Sequence, residues 1–342
     1  MEYQITWFVL WGVLWAVYFM LDGFDLGAGI LMNFIGKTDG EKRLVINSIG
    51  PFWDGNEVWL ITAGGATFAA FPTTYACMFS YLYSALLIIL FALIFRGVAF
   101  EFRGKGESDK WKKAWDAAIF LGSFLPALLF GVAFGNIFRG LPIDAQGYHG
   151  TLLSLLNPFG LLTGLLFVAL FLVHGALWLS IKTEGAVRER AKDFAGRAFY
   201  FLLAAAVLFL ASVPFATKLL DNFIDAKPLF AVILLLVGAL VSIKLFIARG
   251  KFLAAFAASS VTVLLTVATG VIGLYPNLIP SSLDPQFSLT IFNSSSSPYT
   301  LKIMTVVAFI FVPMVIAYQI WVYRLLRAPI SVEKVEKDKH AY

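Results

Sequence analysis

Eight long stretches of this chain contain no Asp, Glu, Lys or Arg: Tyr3–Leu21, Val58–Phe95, Ala117–Phe138, Gly150–Ile181, Ala198–Thr217, Pro228–Ile243, Phe252–Leu283 and Ile303–Tyr323. A bilayer hydrocarbon core of about 30 Å is crossed by about 20 helical residues, so runs of this length read as transmembrane helices. The run Val58–Phe95 is too long for one crossing and carries Phe71-Pro72-Thr73-Thr74 near its middle, where a proline disfavours helix at the residue before it. Divided there, the chain is expected to form nine spans, over residues 6–35, 55–71, 75–103, 112–139, 158–181, 193–216, 228–248, 251–273 and 300–326. The composition agrees: 60% of the 342 residues are apolar, only 14% are charged, and the mean hydropathy is +0.82, far above a soluble domain. The aromatic fraction of 16% suits flanks that settle at two headgroup layers.

An odd number of spans puts the termini on opposite sides. With this count, the loops after spans one, three, five and seven plus the tail hold 20 of the 26 Lys and Arg, against Arg139, Lys218, Lys227 and Lys302 in the alternate loops. Arg96 and Lys244 fall inside spans. Under the positive-inside rule the N-terminus is outside and the tail is cytoplasmic. The net charge of +5 is explained by those basic loops and implies no nucleic-acid partner. The first span lacks a basic leader and a small-residue cleavage site, so it reads as retained. Cys77 permits no internal disulfide, and no Cys or His cluster has metal-site spacing. The tail from Ser331 to Tyr342 reads as a solvated charged end, and residues 275–299, with Pro276, Pro280, Pro285 and Ser294-Ser295-Ser296-Ser297, form the longest irregular stretch. The architecture expected is all-α and polytopic. Residues 1–150 form a first four-helix bundle, 151–298 a second bundle with a long outer loop, and 299–342 a ninth helix with a charged tail.

Ionisable groups inside spans cost about 2.5–3.5 kcal/mol each at mid-bilayer on insertion scales, so the few present are informative. Asp22 and Asp25, three apart, share a helix face with Gly29, while Gly23 and Gly27 form a G-x-x-x-G suited to close packing. Either the acids lie at the inner headgroup level or the apolar run Leu26–Ile35 carries them deeper. In Gly50-Pro51-Phe52-Trp53-Asp54-Gly55-Asn56-Glu57-Val58-Trp59, Asp54 and Glu57 fit a capping box, with Trp53 and Val58 as its hydrophobic staple. A proton-handling role needs one of them in low dielectric. Arg96 is expected to snorkel or to neutralise a carboxylate on another span, since Glu101, five residues on, is not on its face. Of the three histidines, His149 lies in a loop and His340 in the tail, while His174 in the fifth span reads as a packed core residue. If the protein takes part in membrane electron transfer, a partner chain carries the metals.

The motifs Leu21-Asp22-Gly23-Phe24-Asp25-Leu26-Gly27, Gly50 to Leu60, Phe100-Glu101-Phe102-Arg103, Gly131-Val132-Ala133-Phe134-Gly135-Asn136, Leu156-Asn157-Pro158-Phe159-Gly160-Leu161-Leu162 and Tyr275 to Ser282 occur in one order over nearly the whole chain. Together they resemble subunit II of the cytochrome bd quinol oxidases, including the cyanide-insensitive branch. The resemblance implies a bacterial inner-membrane heterodimer. Its subunit I holds two b-type haems and haem d, oxidises quinol and reduces dioxygen to water, while subunit II binds no haem. It also implies two four-helix bundles plus one helix, with the first bundle packed on subunit I, and small single-span accessory subunits. A structural quinone or lipid between the helices is left open. Within that picture Asp25 and Asp54 are the expected proton-transfer residues, followed by Asp22, Glu57 and Glu101, because modest burial brings a carboxylate towards neutral pKa. The rival readings are a cation-coupled secondary transporter, which would also use buried acids, and a purely structural subunit.

Overall fold

The computed structural model describes residues 2–338 and 341–342; His340 lies outside the described residues. Thirteen α-helices carry the described chain: α1 (Glu2–Ile35), α2 (Asp39–Ile49), α3 (Trp53–Ala70), α4 (Pro72–Tyr81), α5 (Tyr83–Phe102), α6 (Asp109–Arg139), α7 (Pro158–Lys182), α8 (Gly185–Ala216), α9 (Asp221–Asp225), α10 (Phe230–Ala248), α11 (Phe252–Leu274), α12 (Pro298–Leu325) and α13 (Val332–Lys337). Among the described residues, eight helices are long and apolar enough to cross a membrane: α1, α5, α6, α7, α8, α10, α11 and α12. The expected span 55–71 forms as α3 but is not one of the eight, because Asp54, Asn56, Glu57 and its glycines dilute its hydropathy. The expected span 75–103 is two helices, broken at Leu82, and Phe71 alone separates α3 from α4, with Pro72 opening the new helix.

Local signals set the other boundaries. Asn157 caps α7 through Gly160 N and is followed by Pro158 at the first helical position; Ser108 and Ser297 cap α6 and α12 in the same way. The amphipathic α2 has no counterpart among the nine expected spans. It starts at a complete capping box, Thr38 with Glu41.

The helices pack around α1, which at about 1.5 Å per residue is about 51 Å long. The G-x-x-x-G expectation holds. A Cβ on Gly27 would lie 1.9 Å from the Phe171 carbonyl oxygen, so only glycine admits α7 at this distance. The centre is aromatic: Trp15, Tyr18, Phe19, Phe130, Phe134 and Phe167 meet mostly edge to face, with centroids 5.1–6.3 Å apart.

Two opposite ends of this bundle are tied differently. At the cation-poor end the 275–297 loop, with the antiparallel strand pair Asn277–Ile279 and Leu289–Thr290, reaches back across earlier helices. Gln4 donates to Ser295 Oγ at 2.8 Å, Ser296 N to Ala70 O at 2.9 Å, and Leu141 N to Pro280 O at 2.9 Å. At the basic end, Arg103 joins Asp116 (2.5 Å) and Asp39 (2.9 Å), Lys42 pairs with Asp116, and Arg190 pairs with Glu41. The tail departs from the expected solvated end. Ile330 forms a bridge with the Lys182–Glu184 segment, Val335 is buried, and α13 lies on α2. The Tyr342 ring covers Gly50. Apolar Ile330, Val332 and Val335, interleaved with the charges, give the tail a face to bury.

Candidate functional site

Asp22 and Asp25 project from one face of α1 into the interior, and both are fully buried. Arg96, from α5, is also fully buried. Its Nη1 donates to Glu57 Oε1 at 2.8 Å and to Asp22 Oδ1 at 3.1 Å, and Nη2 donates to the same Asp22 oxygen at 3.2 Å. The expectation that Arg96 meets carboxylates of other helices is borne out. Glu57 does not close a capping box: α3 begins two residues earlier than that reading requires, Phe52 occupies the cap position without a side-chain bond, and Glu57 turns towards α5 instead.

A neutral network adjoins the charged one. Asn56 Nδ2 donates to Asp25 Oδ2 at 2.7 Å, and Asn56 Oδ1 accepts from Tyr323 Oη at 2.9 Å and Gln319 Nε2 at 3.1 Å. Trp59 Nε1 donates to Gln319 Oε1 at 2.7 Å. The other Asp25 oxygen, Oδ1, has no hydrogen-bond partner among the described residues. Four elements therefore converge: α1 and α3 bring the acids, α5 the guanidinium, and α12 the amide and phenol that orient Asn56. Full ionisation would leave three carboxylates against one guanidinium in a buried space, a charge imbalance that a low-dielectric interior penalises heavily.

The structure brings Asp22, Asp25 and Glu57 together and leaves Asp54 and Glu101 outside that group. Asp54 is exposed near the start of α3. Glu101 is exposed near the end of α5, beside the Tyr342 hydroxyl, in a polar groove with Arg43 and Arg103. Asn56, Gln319 and Tyr323 were missed by sequence reasoning. At the basic end, outside the spans, Asp39 and Glu41 are both held below the usual carboxylate range. Burial opposes this, but Lys112 and Arg103 outweigh it at Asp39, and Arg190 with the backbone N–H groups of Lys37 and Thr38 outweighs it at Glu41.

The described histidines do not fit haem ligation. His174 is fully buried, stacked on Phe256 at 4.7 Å, with Nδ1 at 2.6 Å from Ser259 Oγ and Nε2 at 2.9 Å from Met20 O, so both ring nitrogens are already engaged. His149 pairs with Asp144 at 2.7 Å in a short exposed hairpin. The core reading of His174 stands.

Comparison with known proteins completes the description. The model of the family "Cytochrome bd terminal oxidase subunit II" matches residues 3–326. A cytochrome bd ubiquinol oxidase subunit 2 from Bacillus subtilis is 39% identical over 326 residues, covering 95% of this chain and 96% of that protein. The cytochrome bd-I ubiquinol oxidase subunit 2 of Escherichia coli is 36% identical over 370 residues, covering 99% and 98%. Among solved structures, a chain of the bd oxidase from Geobacillus thermodenitrificans superposes with a TM-score of 0.79 at 18% identity, over 95% of this chain and 98% of that one, which establishes the shared fold.

Proposed function

This chain belongs to the cytochrome bd terminal oxidase subunit II family, and from that premise we propose that it supports a haem-bearing subunit I and lines a proton route towards it. It is an integral membrane subunit of a quinol-oxidising respiratory oxidoreductase. Membership replaces the transporter reading. In the proposed complex, subunit I carries haems b and d, oxidises quinol and reduces dioxygen to water, and protons drawn from the cytoplasm make turnover electrogenic.

The observation that carries the proton reading is the shared guanidinium. Among the described residues, Asp22, Asp25 and Glu57 stand with Arg96 alone as a near cation, and one Asp25 oxygen has no donor. Two protons neutralise the surplus charge, so the group has the capacity to take up and release them. The Asn56–Tyr323–Gln319 set holds Asp25 in place by hydrogen bonds whose direction the amide fixes. Asp54 and Glu101, exposed towards the basic end, are the proposed entry carboxylates.

The proposed architecture counts α3 as a ninth crossing. It runs antiparallel to α1, since Asn56 meets Asp25 while Thr67 meets Trp11, and it reaches the 275–297 loop at Ala70. One bundle is α1, α3, α4–α5 and α6, and the other is α7, α8, α10 and α11. Helix α12 is peripheral, with none of its apolar window buried. The excess of Lys and Arg in alternate loops supports an N-terminus outside and a tail in the cytoplasm.

Asp25→Asn and Asp54→Asn in the assembled complex test the proposal. Each should slow quinol-driven oxygen consumption and charge separation at least tenfold with the haem absorption spectrum unchanged. Wild-type turnover in both variants, or loss of haem instead of rate, returns these acids to a structural role.

A further inference from the structure

Cations are scarce at the end of the molecule that carries the N-terminus of α1: of the chain's 26 Lys and Arg, only Arg139 and Lys302 at helix ends and Lys218 and Lys227 between helices lie there. Two of these, Arg139 and Lys218, line the same cavity of about 630 Å³. Neither side chain makes a hydrogen bond or ion pair among the described residues. Asp221 and Ser282 share the wall, and Phe215, 92% exposed at the end of α8, stands on the rim with Leu283.

The wall is fixed. Asn222 donates to the carbonyls of Ile272 (2.9 Å), Gly273 (3.2 Å) and Tyr275 (2.6 Å), closing the end of α11, and a Cβ on Gly273 would lie 2.7 Å from Leu219 O. Asn222 and Tyr275 also border a second space, an apolar groove of about 930 Å³ between α1 and α11. Along α1 that groove is lined from Ile5 to Val17. Twelve residues at about 1.5 Å each give about 18 Å, close to one leaflet of a hydrocarbon core about 30 Å thick.

We propose that Arg139 and Lys218 bind the phosphate of a single glycerophospholipid, whose acyl chain lies in the α1–α11 groove. Charge complementarity selects the occupant: two unpaired cations meet a phosphodiester, and Asp221 accepts from the donor-bearing part of the headgroup beyond it. The groove supplies the length for one chain. The site lies between the two bundles at the cation-poor end, away from the acidic cluster, and depends only on the chain spanning a membrane, so it stands or falls apart from the proton reading.

The test uses the purified complex, stripped of lipid by detergent washing and titrated with dioleoylphosphatidylethanolamine in mixed micelles. Tight lipid is counted by native mass spectrometry, and melting temperature is followed in parallel. Wild type should retain one lipid and gain thermal stability on titration. The Arg139→Gln/Lys218→Gln variant should bind at least tenfold more weakly with turnover and haem spectrum unchanged. Ala268→Trp, which fills the groove and leaves both cations in place, should weaken binding as much. The proposal is overturned if both variants retain the lipid as wild type does. Equal stabilisation by diolein, which has no phosphate, or by inorganic phosphate alone also overturns it.

Discussion

Replacing Arg96 by Met removes the only guanidinium from a buried group of three acids and leaves Asp22 and Glu57 facing each other. At an effective dielectric of about 20, one ion pair at about 4 Å is worth about 4 kcal/mol, and Arg96 holds two such pairs. The desolvation of the guanidinium offsets much of that gross attraction. Breaking one partner out of a buried pair nevertheless costs about 3–5 kcal/mol, because the remaining charge is left uncompensated. Arg96→Met should therefore lower the stability of the complex by that amount, read from reversible unfolding in mixed micelles by tryptophan fluorescence. The informative variant is the triple one. Arg96→Met with Asp22→Asn and Glu57→Gln removes all three charges and should recover to within about 1–2 kcal/mol of wild type, since neutral groups of similar volume tolerate burial. A single-variant cost below about 1 kcal/mol, or a triple variant no better than the single, would refute the electrostatic reasoning.

Gly27→Ala should destabilise by about 2 kcal/mol or more in the same assay, because its Cβ has nowhere to go against the Phe171 carbonyl. Gly55→Ala, at a helical site with nothing within 4 Å, should instead stabilise by about 0.4–1 kcal/mol. Glu41 has a folded pKa below its unfolded value, so its contribution is present above the usual carboxylate range and is lost as pH falls through the folded value. Acid melting curves of Glu41→Gln should accordingly diverge from wild type at neutral pH and converge with it once the pH has fallen below the usual carboxylate range; parallel curves throughout would contradict the assignment. Lys182, held by the Leu326 and Ala328 carbonyls at the end of α12, ties the tail to α7. Lys182→Met should speed limited proteolysis of residues 327–338 several-fold.

The apolar runs were legible because hydropathy is a sum over many residues, and every expected span reappears as helix. Asp22, Asp25 and Arg96 were legible for the opposite reason: a charge inside such a run has no cheap explanation. Neutral partners leave no such mark. Asn56, Gln319 and Tyr323 sit in sequence as ordinary polar residues, and only the crossing of α1, α3 and α12 gives them a common centre. Glu57 misled because a local motif competed with a tertiary one. The capping box needed Asp54 at the cap, and starting the helix at Trp53 gave that motif up in favour of a pair with Arg96. Helix α2 had a readable start in Thr38 and Glu41, but at eleven residues it falls below the length that a search for membrane crossings detects.

The loop of residues 275–297 fastens Gln4, Ala70 and Leu141, segments made during the first half of synthesis, with groups made in the last quarter. During vectorial translation those early helices must therefore wait with their far tips unlatched until more than a hundred further residues have emerged. A ribosome stalled before this loop would leave its helices threaded but loosely splayed. The quality-control machinery would then meet the incomplete chain by its open tips rather than by any exposed core.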